Sequence, residues 1–451
     1  MSDRSIQVSP EPATTPGDWK ETGLGSVFVS NYPPYSFWTE DFVKDVPKIF
    51  DTPPPSADTP LGLYLHIPFC RKRCKFCYFK VYTDRNASDI QRYLDALAEE
   101  IESYSRKLRF QGRSLHFVYF GGGTPSYISA KHLRDFVHRI KQVMPWDRAE
   151  EVAFECEPGT LTRAKIEAIR EIGVTRISLG IENMNDGILS ENGRAHVTKE
   201  IYEVMPIVKE MAFDQVNVDL IAGMVGETWE TWKETVQKTI DLDPDMVTIY
   251  QMELPYNTVY SKEFKAQDGP RPVIADWETK RAWHNYAFET FTASGYEVSS
   301  AYTLDKKGKR CKFVYRESLW RSADMIGAGV SSFSHVGGMH YQNHSQWDRY
   351  LDAIEKGQLP LNRAFKPSHE ERMTREMILQ LKLGVIKPSY FRDKFDVEIL
   401  KRFESAYARL EDDGMLEVKD DEIRMTRKGL LRVDHLLPNF YDPVYQNSRY
   451  T

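Results

Sequence analysis

LYLHIPFCRKRCKFC, Leu63 to Cys77, is the stretch on which the reading of this chain turns. Its first half is an apolar, aromatic run closed by Pro68, which reads as a buried β-strand. Its second half spaces Cys70, Cys74 and Cys77 as C-x3-C-x2-C directly after that strand. Structural zinc takes four ligands, and no fourth cysteine lies nearby; His66 would be a fourth donor, but it sits inside the strand. A cubane iron–sulfur cluster usually takes four thiolates, so three leave one iron open to a substrate. A zinc site and three unligated thiols remain the alternatives. The cations Arg71, Lys72, Arg73 and Lys75 read first as a solvated loop, and second as charge balance for thiolates or a landing place for an acidic electron donor.

Working outward, five further strand-like segments follow GLYLHI (62–67): SLHFVYF (114–120), VAFECE (152–157), RISLGI (176–181), QVNVDLIAG (215–223) and DMVTIYQM (245–252). Amphipathic helices fill the gaps. One opens with Ser88 and Gln91 as a capping box and carries Ile90, Leu94, Leu97 and Ile101 on one face. Another aligns Ile166 with Ile169 and ends at Gly173. Alternating β and α segments give an α/β protein with a parallel sheet, and six units predict a partial (β/α)6 barrel with its active site at the carboxyl ends of the strands. Residues 1–31 are rich in Pro, Ser and Thr and are expected to be mobile. Residues 31–50 are too aromatic for a free tail and are expected to pack on the body and cover a cavity mouth, and 51–60 form a stiff linker. The extension and linker thus occupy 1–60, and the barrel with a substrate-side segment 61–366. A C-terminal module occupies 367–451. In that module Ser368 and Glu371 form a capping box, a second helix runs from about Val397 to Asp412, and MLEVKDDEIRMT forms a hairpin, a winged-helix-like set.

The 451 residues are 41% hydrophobic with a net charge of -6, which argues against broad binding to nucleic acid or anionic membranes. No apolar run reaches the roughly 20 residues that span a bilayer, and the first residues lack the apolar stretch of a secretory signal. Five cysteines, three within eight positions, make no disulfide framework and suit a reducing compartment. A cytoplasmic enzyme is expected.

The cysteine spacing after a strand, with its flanking text, resembles the radical S-adenosylmethionine (SAM) superfamily, and within it the oxygen-independent coproporphyrinogen III oxidase-like group. That group also holds haem-chaperone-like proteins and class C radical SAM methyltransferases. The resemblance covers most of the chain from about Leu61. It implies a radical SAM barrel and a [4Fe-4S] cluster on Cys70, Cys74 and Cys77, with one SAM molecule or two. Reduced flavodoxin or ferredoxin would be the electron donor, and the substrate a small conjugated or tetrapyrrole-like molecule. No side chain beyond the cluster and SAM is needed to start the radical chemistry.

The other motifs follow in chain order. VYFGGGTPS (Val118 to Ser126) resembles the family's GGGTP, which implies that Gly121, Gly122, Gly123 and Thr124 hold the methionyl group of SAM. Glycine removes the Cβ barrier to close approach, although a tight turn is the plainer reading. Glu155 and Glu157 end a strand on one face; the resemblance assigns Glu155 to SAM, while Glu157 stands where relatives carry Asp or Asn. It also assigns the strand of Arg176 and Glu182 to the methionyl carboxylate and ribose, Asp219 to a ribose or second-SAM contact where a lone strand Asp is more often a structural hydrogen bonder, and sets Tyr64 beside SAM, where a core tyrosine is nearly as good a reading. The segment 326–343 resembles the glycine-rich stretch where adenine and substrate meet; His335 and His340 within it read as ordinary histidines before acid–base groups. Two departures matter. Phe79 stands where coproporphyrinogen oxidases carry one more cysteine, and KFVYRESLW (Lys312 to Trp320) lacks the His-Asn of the chaperone branch. Together they lean the reading toward class C-type methyl or methylene transfer, with porphyrinogen decarboxylation and a haem chaperone as alternatives.

Overall fold

The computed structural model describes residues 23–54, 56, 59–266, 272–446 and 448. The expected mobility of residues 1–31 therefore concerns a stretch whose first 22 residues lie outside the described residues. All six expected strands form: β1 (Leu61–Ile67), β2 (Phe117–Gly122), β3 (Glu151–Cys156), β4 (Arg176–Glu182), β5 (Gln215–Ala222) and β6 (Met246–Gln251). They lie side by side in parallel register, 1-2-3-4-5-6. Their runs are nearly continuous in apolar residues because helices cover the outside and the lumen takes the other face. Leu63, Leu65 and Ile67 point outward and are fully buried, whereas Tyr64 between them faces inward and keeps some accessible surface.

The helices between the strands are α1 (Ala87–Ser105), α2 (Ala130–Lys141), α3 (Arg163–Glu171), α4 (Thr198–Glu210), α5 (Trp229–Leu242) and α6 (Trp277–Ala293), the last after β6. Ile90, Leu94, Leu97 and Ile101 of α1 are buried as expected. Its cap is not Ser88 with Gln91. Asn86 Oδ1 accepts the N–H groups of Ser88 and Asp89, and Asp89 returns the bond to Asn86, so the box starts two residues earlier. Asparagine caps about as well as serine and, lying upstream, opens the helix first. Helix α3 closes before Gly173, whose φ of +95° meets the left-handed turn that ends it.

The sheet extends further than six units. Beyond β6 come β7 (Tyr296–Val298) and β8 (Thr303–Lys306), antiparallel. On the other edge β9 (Asp324–Ala328) runs parallel to β1, and β10 (Phe333–Val336), β11 (Met339–Asn343) and β12 (Leu361–Phe365) fold back antiparallel, giving twelve strands in all. The sheet remains open between β12 and β7.

The C-terminal module opens with α7 (His369–Leu381), capped by Ser368 and Glu371 as expected. The single helix expected over 397–412 is instead two, Ile399–Arg402 and Glu404–Asp412, broken at Phe403. An unexpected helix, Pro388–Phe395, starts on a proline at its first position and stops at the left-handed Asp396. The expected hairpin, Leu416–Lys419 with Glu422–Met425, gains a third strand from Val385–Ile386. Val29 and Tyr32 of the N-terminal segment share this module's core, while Val46 and Phe50 join the barrel's. The aromatic run does pack on the body.

Candidate active site

The cysteine loop leaves the carboxyl end of β1 and is stapled down by its own cations. Arg71 donates to the carbonyls of Gly159 (2.5 Å) and Ala195 (3.0 Å), Arg73 to those of Cys77 (3.1 Å) and Asn257 (3.3 Å), and Lys75 Nζ to Glu191 (3.0 Å). The solvated-loop reading holds for Lys72 alone of the four; the others tie the loop to β3, β4 and β6 connections. Cys70, Cys74 and Cys77 are free, half-buried thiols. Burial pushes the Cys70 thiol up to about 12 and the Cys77 thiol up to about 11. Such thiols hold their protons at neutral pH until a cation replaces them. Each sulfur already has a donor aimed at it. Thr124 Oγ1 lies 3.3 Å from Cys70 Sγ, Arg194 Nη1 lies 3.3 Å from Cys74 Sγ, and the Phe79 backbone N–H bonds Cys77. Among the described residues no three or more His, Cys, Asp or Glu side chains gather as a single ion requires. A cubane takes one thiolate per iron, so three spaced thiols with donors behind them suit it and leave the fourth iron open.

The glycine run lies against this loop. Its N–H groups are spent inside the protein: Gly122 on the Glu155 carboxylate, Gly123 on the Ile67 carbonyl (2.7 Å) and Thr124 on that of Phe69 (2.8 Å). A ligand can therefore be offered carbonyl oxygens, which suit an ammonium group, and not the donors that an anion would need. A Cβ on Gly123 would stand 2.8 Å from the Ile67 carbonyl oxygen and 2.9 Å from that of Phe69. At Gly122, where φ is +110°, it would stand 2.6 Å from the His66 ring. The glycines are thus required first by close packing on β1 and the residues after it.

Inside the barrel, strand alternation sets carboxylates on the lumen wall near the same end. Glu155 accepts the Tyr119 hydroxyl at 2.7 Å and faces Ser178 across the ladder. Asp219 accepts Ser178 Oγ and Asn217 Nδ2, both at 2.9 Å. Glu182 closes β4 with φ of +63°, an unfavourable conformation for a side chain of its size and one that clusters at functional sites. Burial raises Glu155 and Glu182 to about 7 each, and raises Asp219 as well. Glu155, Glu182 and Asp219 nevertheless keep some accessible surface, as do Tyr64, Gly122, Gly123 and Thr124. Carboxylates held partly neutral by burial regain their charge when a cation arrives.

Arg194 is the residue that local sequence patterns miss. Its Nη2 donates to the Gly180 carbonyl at 2.6 Å, its Nη1 reaches Cys74, and it lies 3.6 Å from Glu182. It joins the cysteine loop to the end of β4 across 120 residues of chain. Glu157 turns to a different neighbourhood from Glu155. It pairs with His196 at 2.9 Å and with Arg71 at 3.9 Å, and although burial works to raise it, His196 and Arg194 hold it below the usual carboxylate range.

Arg176 lies deeper in the same lumen, near enough for its charge to counter the burial that raises Glu155 and Asp219. It is the first residue of β4, level with Tyr64, Tyr119 and Ala153, one inward-facing position before Ser178 and Glu155. Its guanidinium lies 4.0 Å over the Phe313 ring, and it is fully buried with Nε and Nη1 unbonded. Tyr64 stacks on Tyr119, and its hydroxyl is 3.3 Å from His66 Nδ1. His335 and His340 are core residues: His335 Nδ1 bonds the Ala323 carbonyl, and His340 stacks on Trp38. The Gly337–Gly338 turn lies at the amino end of the barrel, because β10 runs opposite to β9, so the 326–343 segment does not gather at one site.

At the carboxyl end of β6 the N-terminal segment crosses the mouth. Gly25 bridges Leu254, Ser26 Oγ donates to Glu253 at 2.5 Å, and Phe28 packs on Tyr250 and Tyr302.

Residues 64–239 match the family model described as Radical SAM superfamily, and residues 368–432 match that described as HemN C-terminal domain. The oxygen-independent coproporphyrinogen III oxidase of Synechocystis sp. is 27% identical over 414 residues, covering 86% of each chain. The haem chaperone HemW of Bacillus subtilis is 25% identical over 373 residues, covering 82% of this chain and 96% of the relative. The solved coproporphyrinogen III oxidase (HemN) of Escherichia coli superposes with a TM-score of 0.80 at 23% identity, over 92% of this chain and 96% of that one, a likeness of fold.

Proposed function

We infer, on the premise that this chain belongs to the radical SAM superfamily, that it uses a SAM-derived radical to take a hydrogen atom from a small, tetrapyrrole-like molecule. The observation that carries this reading is one end of the barrel where three donor-backed thiols, a glycine run offering carbonyls and buried carboxylates converge. Cys70, Cys74 and Cys77 would hold the [4Fe-4S] cluster. When bound, that cluster supplies the electron that splits SAM into methionine and a 5′-deoxyadenosyl radical.

The protein's own residues orient and shield. The carbonyls of Gly121 to Gly123 receive the methionyl ammonium, Arg194 and Glu182 flank the methionyl group, and Glu155 and Asp219 take up the remaining polar groups of SAM. Tyr64 and Tyr119 wall the lumen and exclude water. Phe28, Tyr250 and Tyr302 form an aromatic mouth that suits a flat, conjugated substrate. Lys72 and Lys80, exposed beside the cysteine loop, suit docking of an acidic donor such as reduced flavodoxin or ferredoxin. A reducing, cytoplasmic setting fits such a cofactor; among the described residues no helix is long and apolar enough to cross a membrane.

Hydrogen abstraction followed by oxidation is favoured by the names of the relatives. Methyl or methylene transfer with a second SAM rests on Phe79, a half-exposed ring stacked on Tyr78, and on the departure at Lys312 to Trp320, and the relatives lend it no support. The test is mass spectrometry of SAM products after anaerobic reduction with coproporphyrinogen III and, separately, with cell extract. Abstraction yields 5′-deoxyadenosine and methionine. S-adenosylhomocysteine with label from methyl-deuterated SAM in the product would establish transfer instead, and stoichiometric haem binding without SAM turnover would establish a chaperone.

A further inference from the structure

A cleft of about 950 Å³ opens at the amino end of the barrel, opposite the cysteine loop. Pro60, His116, Glu150 and Asp324, which precede or begin β1, β2, β3 and β9, form its barrel side. Helix α7 and the helix Pro388–Phe395 of the C-terminal module form the other side. The radical chemistry lies at the far end of the strands and leaves this space unused.

Charged groups crowd the cleft, and their pairing is uneven. Arg109, at 3.2 Å, and Arg113 behind it, at 2.8 Å, share the one carboxylate of Asp324. Lys312 pairs with Glu150 at 2.6 Å, Lys394 with Glu376 at 2.7 Å and Arg321 with Glu317 at 3.6 Å. All four carboxylates that line the cleft are thus engaged. Arg372, on α7, is half-buried, forms no ion pair among the described residues, and has its Nε buried without a hydrogen bond. Its side chain reaches the Gly337–Gly338 turn, where a Cβ on Gly338 would stand 2.9 Å from its Cδ and its Nη1. Six cations therefore meet four carboxylates here, in a chain whose net charge is -6. A guanidinium partly withdrawn from water is costly without a counter-charge, and its planar fork of donors matches an oxyanion. Ile49, Pro53, Val314 and Phe395 add apolar wall, and the volume is that of a site for an organic molecule and not for a bare ion.

We propose that this cleft binds a small organic oxyanion, a carboxylate or phosphate on an apolar body, with Arg372 receiving its charge. The bound molecule would join α7 to the amino end of the barrel. The site is independent of cluster and SAM binding.

The test is titration calorimetry of the full-length protein, with and without anaerobic cluster reconstitution. The probes are phenyl phosphate and benzoate, with benzyl alcohol as the uncharged control. At least one probe should bind with a Kd of about 1 mM or tighter, and the control at least about tenfold more weakly. The tighter of the two probes distinguishes phosphate from carboxylate. Arg372→Gln should weaken binding about tenfold or more, and Arg372→Lys, which keeps the charge but not the fork, by about three- to fivefold. Affinity should fall as salt is raised, since the contact is one of charge. A second measurement needs no variant: phenylglyoxal modifies arginine side chains, and peptide mass spectrometry of the wild type should show Arg372 protected by the bound probe. No binding of either probe up to about 20 mM overturns the proposal. So does wild-type affinity in Arg372→Gln, or a probe that leaves Arg372 unprotected.

Discussion

Gly123→Ala adds one methyl group at the point where the glycine run meets the cysteine loop. The new Cβ would stand 2.8 Å from the Ile67 carbonyl oxygen and 2.9 Å from both the Phe69 carbonyl oxygen and the Pro68 carbonyl carbon. All three are backbone atoms, so no side chain can swing away. The strand or the run must shift by several tenths of an ångström. That shift strains two hydrogen bonds, Gly123 N–H to Ile67 and Thr124 N–H to Phe69. Their loss costs about 0.5–1.5 kcal/mol each. Overpacking adds about 1–3 kcal/mol. A total of roughly 2–6 kcal/mol is expected, borne at the residues that aim Cys70. The assay is iron and sulfide content after anaerobic reconstitution, beside chemical denaturation of the metal-free chain. The variant should hold well under half of the wild-type iron and unfold at lower denaturant. Gly23→Ala, where no heavy atom lies within 4 Å of the new Cβ, should match wild type. Full iron content and an unchanged midpoint in Gly123→Ala would refute the claim that this contact holds the loop.

Cys74→Ala should abolish the cluster, with iron and sulfide near zero; a wild type that instead takes up one zinc and little iron would end the cluster reading. Glu155 and Glu182 sit near 7 through burial. Because their folded values lie above the unfolded one, the stability they contribute is present below about 4.5 and is lost as pH rises through about 7. SAM, a net cation, favours their ionised forms, so its affinity should rise with pH through this window with proton release on binding. Titration calorimetry in two buffers should show that release, and Glu155→Gln should diminish it. Phe50 is fully buried against Tyr104, Phe110 and Tyr341. Phe50→Ala should cost roughly 3–5 kcal/mol by denaturant unfolding. Deleting residues 1–50 should therefore destabilise the whole chain and not merely impair substrate turnover, and a deletion with wild-type stability would show the segment to be an appendage.

Much of this protein is legible in the order of its residues. The six parallel strands are local runs of apolar and β-branched residues between breakers, and period and punctuation alone mark them. The three cysteines lie within eight positions of one another, so their spacing carries the chemistry without any fold. Helix α1 and the Ser368–Glu371 cap are likewise written within a few residues, and the cap of α1 falls on Asn86, two positions before Ser88. What tertiary structure alone decides is everything that joins distant segments. Arg194 sits in no recognisable pattern, yet folding brings it to Cys74 and to Glu182. Arg176 begins its strand, one inward-facing position before the carboxylates, because a strand's length converts position along it into depth in the barrel. The seventh parallel strand, β9, pairs with β1 across more than 250 residues, and no local periodicity records such a pairing. Short-range preferences are set by neighbouring atoms along the chain, whereas depth, charge pairing and the aim of a hydrogen bond arise only once the chain has closed on itself.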